Sequence, residues 1–155
     1  MSIRLLIYIV AFALGTFCVT AQEDDVYKKF LKTTTVAIHK AQKEMMVAKK
    51  TDMNGLLAKA VILQSNALRL YKEKKNGEAV CNSNLARKYA GEIIKGISGN
   101  VGTYYLIHDD EKTLVGSCGD ETELYNSSKK SMKNLSETDM DYMGGKSLNN
   151  TNIDF

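Results

Sequence analysis

The sequence predicts an all-α protein, a small helical bundle around one central apolar helix, with one disulfide bond. Three observations support this fold class. The stretch from Met53 to Tyr71 carries apolar residues on nearly all sides of a helix, so other helices must surround it. The chain contains no proline, which is compatible with long helices. Two cysteines, Cys81 and Cys118, form an even pair beyond an apolar N-terminal segment.

That N-terminal segment, residues 1–21, is predicted to be a signal peptide. Arg4 supplies the positive start, and the run LLIYIVAFALGTFCV supplies the apolar part. Val19-Thr20-Ala21 then provides small residues for cleavage before Gln22. A retained membrane anchor is the alternative, but the apolar run is short and polar residues follow it at once. The sequence therefore predicts a secreted, extracellular protein.

Cleavage would leave one helical domain at 22–136 and a flexible tail at 137–155. The tail loses the helical period and carries Gly144-Gly145 among several asparagines. Removal of the leader takes away Arg4 and no acidic residue, so the formal net charge falls from +3 to +2. So mild a charge does not indicate a nucleic-acid partner.

The cysteine pair predicts a disulfide bond. Cys18 lies in the leader, so Cys81 and Cys118 are the two cysteines of the mature chain. An even pair in an oxidising compartment is typical of one bridge. In the loop-entropy model, closing a loop of about 36 residues stabilises the fold by roughly 3–4 kcal/mol. A reactive thiol pair would need C-x-x-C spacing, which these positions lack.

The first long helix is predicted from Val26 to Lys50, where apolar residues recur at steps of three, four and seven. Asp24 and Asp25 favour its N-terminus, and Thr33-Thr34-Thr35 predicts a kink or local break. The segment has seven lysines and one glutamate. A solvated face is the ordinary explanation, and the alternatives are contacts with an acidic protein, a glycosaminoglycan or an anionic membrane. The candidate partner-binding residues are Lys28, Lys29, Lys32, Lys40 and Lys43.

The central helix is a poor membrane span, because two charged residues and several amides or hydroxyls interrupt it, so no stable membrane insertion is expected. Thr51 or Asp52 is expected to cap it, and Asn76-Gly77 to end it. A third helix is predicted from about Glu78 to Ile97. Short connections predict that these helices are antiparallel neighbours.

The stretch from Thr103 to Cys118 is compatible with two structures. One is a β-hairpin, and the other is a short helix over Val101 to His108 followed by a loop. The helix is favoured because an isolated two-stranded hairpin is marginally stable. In either case a disulfide to Cys81 would hold this stretch beside the start of the third helix. A last helix is predicted from Asp120 to about Ser136, with acidic residues at its start.

No pattern indicates catalysis, so the chain is predicted not to be an enzyme and to need no cofactor. The cluster His108-Asp109-Asp110-Glu111 would have to converge with a further ligand to bind a metal, and an exposed loop is the ordinary explanation. No serine lies in a nucleophile elbow, and no glycine loop has phosphate-binding spacing. N-glycosylation acceptors are present at Asn126, Asn134 and Asn149.

Several features together resemble the small salivary proteins of anopheline mosquitoes that include anophensin and albicin. They are the leader ending in Val19-Thr20-Ala21, the single pair Cys81 and Cys118, the helix MNGLLAKAVILQSNALRLY and the lysine-rich first helix. The resemblance implies a protein that is injected into a vertebrate host and inhibits a plasma defence. The implied targets belong to the alternative complement pathway or the contact (kallikrein–kinin) pathway. It implies inhibition by protein binding without catalysis, and it assigns no role to an individual residue.

Three functional hypotheses follow. The first is a secreted inhibitor that binds a host plasma protein or protease complex through the lysine face, with a glycosaminoglycan as a further contact. The second is a carrier of small hydrophobic ligands, because pockets form between the helices of bundles. The third is a membrane-active cationic helix, which would require the bundle to open.

Overall fold

A computed structural model describes the backbone of residues 3–116 and 118–131, and the side chains of residues 24–131 apart from Tyr104 and Ser117. This part of the chain contains helices and no strand, so the all-α prediction is confirmed. The helices are α1 (Ile3–Ala48), α2 (Asn54–Lys72), α3 (Asn76–Ser98) and α4 (Glu121–Ser131), with a 3-10 turn at Thr103–Tyr105. Within residues 24–131, no helix is long and apolar enough to cross a membrane.

Helix α3 contacts the other three helices, so the centre of the bundle is formed by α2 and α3 together rather than by the predicted α2 alone. Helix α2 itself packs against α1, α3 and α4. Two buried amides show how its neighbours are arranged. Gln64 donates to the Leu31 carbonyl of α1 at 2.9 Å, and Asn66 donates to the Ser128 hydroxyl of α4 at 3.0 Å. Residues two apart in a helix point about 200° apart. Helices α1 and α4 therefore lie on opposite sides of α2.

The core is rich in small side chains, which allow helices to pack closely. Eight alanines are fully or almost fully buried: Ala37, Ala41, Ala58, Ala60, Ala67, Ala79, Ala86 and Ala90. Larger residues such as Leu63 and Ile93 fill the space between the helices. The apolar rows of α2 predicted from the sequence are thus the contact surfaces for its neighbours.

Helix α1 differs from its prediction at the start and in the middle. It begins at Ile3 rather than near Asp24, because the helical backbone continues through the predicted leader. The break expected at Thr33-Thr34-Thr35 is absent. Each threonine hydroxyl donates to the carbonyl four residues earlier, at 2.9–3.3 Å, so the polar side chains are accommodated within the helix.

Lysines in the left-handed conformation follow α1 and α2. The predicted end of α1 at Lys50 lies close to the observed end at Ala48, but the predicted stop Asn76-Gly77 does not end α2. Lys49 and Lys74 have φ values of 53° and 63°, the left-handed conformation that closes a helix. The Lys75 amide then donates to the Leu70 carbonyl, so α2 ends before Asn76-Gly77, which instead opens α3. The expected Thr51 or Asp52 cap is also wrong, because Met53 is the N-cap residue of α2 and makes no side-chain cap hydrogen bond.

We expect Lys49→Gly to raise the free energy of unfolding by about 0.5–1 kcal/mol. A side chain in the left-handed conformation costs roughly 1–2 kcal/mol, and the extra freedom of glycine in the unfolded chain offsets about half of this gain. Urea unfolding would measure the change. Lys50→Gly is the matched control, since this neighbour lacks a positive φ. Equal effects of the two substitutions would contradict the explanation.

Over its described residues, the stretch after α3 is not a β-hairpin, and the short helix predicted over Val101 to His108 is reduced to the 3-10 turn at Thr103–Tyr105, followed by a loop. It begins at Gly99, the left-handed cap of α3, and contains the 3-10 turn and further turns up to Leu114. Gly91 allows this stretch to pack on α3, since a Cβ there would lie 3.3 Å from the Tyr105 Cβ. The disulfide prediction is confirmed: Cys118 is bonded to Cys81, with a Cα–Cα distance of 5.4 Å.

Helix α4 begins at Glu121, among the acidic residues that predicted its N-terminus. The Asp120 carboxylate accepts hydrogen bonds from the amides of Thr122 and Glu123, at 2.9 and 3.1 Å, and so caps the helix. The predicted extension to Ser136 and the predicted tail at 137–155 lie outside the described residues.

Candidate interaction surface on the first helix

The outer side of α1 carries a row of exposed residues that we call the cationic stripe. Successive residues of a helix turn by about 100°, so residues at steps of three and four point the same way. On this basis, seven exposed residues point within about 40° of the Val36 direction. Asp25 begins the row, and the other six form the stripe. They are Lys29, Lys32, Val36, Lys40, Lys43 and Val47. The stripe therefore combines four of the five lysines proposed from the sequence.

The fifth lysine, Lys28, lies at the margin of the stripe. It points about 80° away from Val36, and it is half-buried where the four stripe lysines are exposed. His39 and Met46 lie on the same margin. Lys28 is thus a flanking residue of the surface rather than part of its centre.

Exposed apolar residues are concentrated on the same helix. In the described part of the chain, four of the five large exposed hydrophobic residues belong to α1: Val26, Val36, Met46 and Val47. Val47 is 72% exposed and Val36 is 39% exposed. Single exposed apolar residues are common on protein surfaces. Two of the four, Val36 and Val47, lie beside the stripe lysines and distinguish this face from a purely charged one.

The inner side of α1 is fixed to the rest of the bundle. Leu31 and Ile38 are fully buried, and the Leu31 carbonyl accepts the hydrogen bond from Gln64. At the N-terminal end of the described side chains of α1, the Asp24 carboxylate accepts a hydrogen bond from the Tyr71 hydroxyl and lies 3.7 Å from the Lys74 ammonium. Burial, followed by this hydrogen bond, raises the pKa of Tyr71 to about 12. The stripe is therefore presented on a helix held along both halves of the described segment.

A buried arginine that links α1, α3 and the loop preceding Cys118 was not predicted from the sequence. Arg87 of α3 is 0% exposed, and its guanidinium donates to the Glu111 carboxylate at 2.7 Å. It also donates to the Thr34 hydroxyl and the Phe30 carbonyl, at 3.0 and 3.1 Å. The guanidinium carbon lies 4.4 Å from the centre of the Phe30 ring. This buried group joins α1, α3 and the loop at one point.

The loop reaches the stripe through an acidic residue. Asp110 lies 3.6 Å from the Lys29 ammonium, and both side chains are largely exposed. Its neighbour Glu111 turns inward, where it accepts hydrogen bonds from Arg87 and from the His108 amide. Asp25, one turn before Lys29, adds a second carboxylate near this end of the stripe.

The cluster His108-Asp109-Asp110-Glu111 does not converge on a metal site. Glu111 points to Arg87, Asp110 to Lys29 and Asp109 to Lys112, so each carboxylate has a cationic neighbour. Among the described residues, no group of three or more histidine, cysteine or acidic side chains is placed to hold a metal ion. The cluster is therefore an exposed turn in which one side chain, that of Glu111, is buried.

The three N-glycosylation candidates have different positions. Asn126 is exposed on α4, whereas Asn134 and Asn149 lie outside the described residues. Ser128, which completes the Asn126 acceptor triplet, is fully buried and accepts a hydrogen bond from Asn66. A glycan at Asn126 would therefore have to be attached before the helix folds, and it would lie on the side of α2 away from the cationic stripe.

Comparisons with models of known protein families, with curated proteins and with solved structures give no match.

Proposed function

We propose that this protein is secreted and inhibits a host plasma defence by binding a protein target, without catalysis. The target would belong to the alternative complement pathway or the contact pathway, as the resemblance to anopheline salivary proteins implies. A disulfide-bonded chain is compatible with an extracellular location. The observation that carries the proposal is the cationic stripe, a cluster of positive charge on a chain whose total charge is nearly balanced.

Two properties of the stripe support binding over simple solvation. Four lysines on one face create a local positive potential, which accelerates association with an acidic partner. Exposed valines on the same face add apolar area that a partner can bury. Protein interfaces combine these two features, with an apolar centre and a polar rim.

In the direct test, the full chain is expressed in a secretory host, and the protein that this host exports is assayed. Alternative-pathway haemolysis and contact-activated clotting would be measured in plasma with increasing amounts of this protein. Inhibition of either reaction supports the proposal. Normal haemolysis and normal clotting at saturating protein would refute it.

We expect that Lys29→Gln, Lys32→Gln, Lys40→Gln and Lys43→Gln in one variant weaken inhibition by at least about fourfold, since each exposed ion pair contributes about 0.2–1 kcal/mol. The loss should be larger at low salt, where screening is weaker. The matched control neutralises four exposed lysines elsewhere: Lys72, Lys95, Lys129 and Lys130. An equal loss in both variants would show that net charge, and not the stripe, determines inhibition.

The hydrophobic-ligand carrier stays a prediction of the sequence. The alanine-rich core favours close helix packing, which leaves less room between helices than large side chains would. Mass spectrometry of small molecules that copurify with the exported protein would test it. A stoichiometric lipid or amine would favour the carrier over the inhibitor.

A further inference from the structure

We propose that the cationic stripe binds an acidic protein segment in which an apolar side chain lies between two groups of carboxylates. This inference rests on the proposed function, because it specifies the partner chemistry of the same surface. It follows from the order of residues along the stripe, from the exposure of its valines and from one carboxylate that already contacts it.

The order of residues is nearly symmetric about Val36. Lys29 and Lys32 precede it by seven and four residues, and Lys40 and Lys43 follow it by four and seven. With a rise of 1.5 Å per residue, the centres of the two lysine pairs are about 16 Å apart along the helix. A matching partner therefore carries two acidic groups at this separation, with room for an apolar group between them.

The valines favour a protein over other polyanions. A sulfated polysaccharide presents anionic groups to the lysines, but no aliphatic side chain to cover Val36 and Val47. A bilayer surface offers both chemistries, but an interfacial helix inserts a continuous apolar face. Here lysines separate the two valines by about 16 Å of helix. An acidic segment with a central apolar residue matches both parts of the pattern.

Asp110 shows that the stripe accepts a carboxylate. It lies 3.6 Å from the Lys29 ammonium, and both groups are largely exposed, so the contact is open to exchange with a partner. The loop is fixed in this position by Glu111, which binds the buried Arg87. The partner's first carboxylate would therefore replace Asp110 at Lys29, and Asp110 acts as an internal competitor.

The experiment uses the isotope-labelled exported protein and a synthetic helical peptide of about 18 residues, long enough to span the stripe at 1.5 Å per residue. The peptide carries two glutamate pairs spaced to face the two lysine pairs, with one leucine midway. A second peptide has serine in place of leucine. Backbone amide shifts in NMR titrations at about 50 mM salt would locate binding and give affinities. A heparin octasaccharide and vesicles with one-third phosphatidylserine are the competing probes.

The leucine peptide should shift amides of residues 29–47, and the serine peptide should bind at least threefold more weakly. Val36→Ser should reduce leucine-peptide affinity about threefold, and Lys29→Gln with Lys32→Gln should reduce it at least about twofold. Asp110→Asn should increase affinity about twofold, because it removes the internal competitor. Leu106→Ser, another exposed apolar residue, and Lys129→Gln with Lys130→Gln should leave affinity unchanged.

Several results would overturn the inference. They are equal binding of the two peptides, absence of peptide binding, peptide shifts located away from residues 29–47, and tighter binding of the octasaccharide or the vesicles than of the leucine peptide. The plasma assays are independent of these titrations. Inhibition in plasma without peptide binding would refute only this inference, whereas peptide binding at the stripe without inhibition would refute only the proposed function.

Discussion

Glu111→Gln is expected to lower the free energy of unfolding by about 3 kcal/mol or more. The substitution keeps the shape of the side chain but removes the charge that faces Arg87. The guanidinium is fully buried, so it cannot recover its interaction with water while the protein stays folded. Removing one member of a buried ion pair is costly because the other charge is left without compensation.

Denaturant unfolding at neutral pH would measure this loss. Asp110→Asn is the matched control, because it removes a neighbouring carboxylate that is exposed, and it should change stability by less than about 0.5 kcal/mol. Arg87→Met combined with Glu111→Leu should recover part of the loss, since apolar replacement of a buried pair is often neutral. A loss below about 1 kcal/mol for Glu111→Gln would contradict a buried, uncompensated guanidinium.

The central helix and the disulfide could be predicted because their signals are local or simple to count. The predicted stretch from Met53 to Tyr71 differs by one residue at each end from α2, Asn54–Lys72. The burial of the polar residues within this stretch could not be predicted in the same way. Gln64 and Asn66 interrupt the apolar rows in sequence, yet both are buried, because each finds hydrogen-bond partners on a neighbouring helix.

The contact between Arg87 and Glu111 could not be predicted from one sequence. The two residues are 24 positions apart, and the glutamate lies in a run of acidic residues typical of an exposed loop. Only the fold shows that Glu111 turns inward while Asp109 and Asp110 remain at the surface. The position of Arg87, directly after Leu85 and Ala86 and before Ala90, is the one signal of burial in the sequence.

The turn between α2 and α3 differs from its prediction for a related reason. Glycine and asparagine are the usual residues in the left-handed conformation, so Asn76-Gly77 was a reasonable stop signal. Lys49 and Lys74 adopt that conformation because the packing of α1, α2 and α3 fixes where each helix must turn. Tertiary packing thus overrides local preference at both turns, at a cost that Lys49→Gly would reveal.

Replacing both Cys81 and Cys118 by alanine should lower the free energy of unfolding by roughly 4 kcal/mol, according to the loop-entropy model for a separation of 37 residues. The bond joins the first turns of α3 to the end of the loop. Its removal increases the freedom of the unfolded chain and releases the loop near Cys118. Thermal and denaturant unfolding of the double variant would give the loss, and a loss below about 1 kcal/mol would contradict this model.

The disulfide and Glu111 hold the same loop, so their effects should not be additive. Once Cys118 is released, the loop can move away from Arg87 at lower cost, and Glu111→Gln should then destabilise by about 1–2 kcal/mol less than in the native protein. A double-mutant cycle with the cysteine pair as one site and Glu111 as the other would measure this coupling. Additive losses would mean that each contact holds its own part of the loop. A combined loss smaller than the sum of the two single losses would make the loop one cooperative unit. Asp110 would then stay beside Lys29 only while both contacts remain.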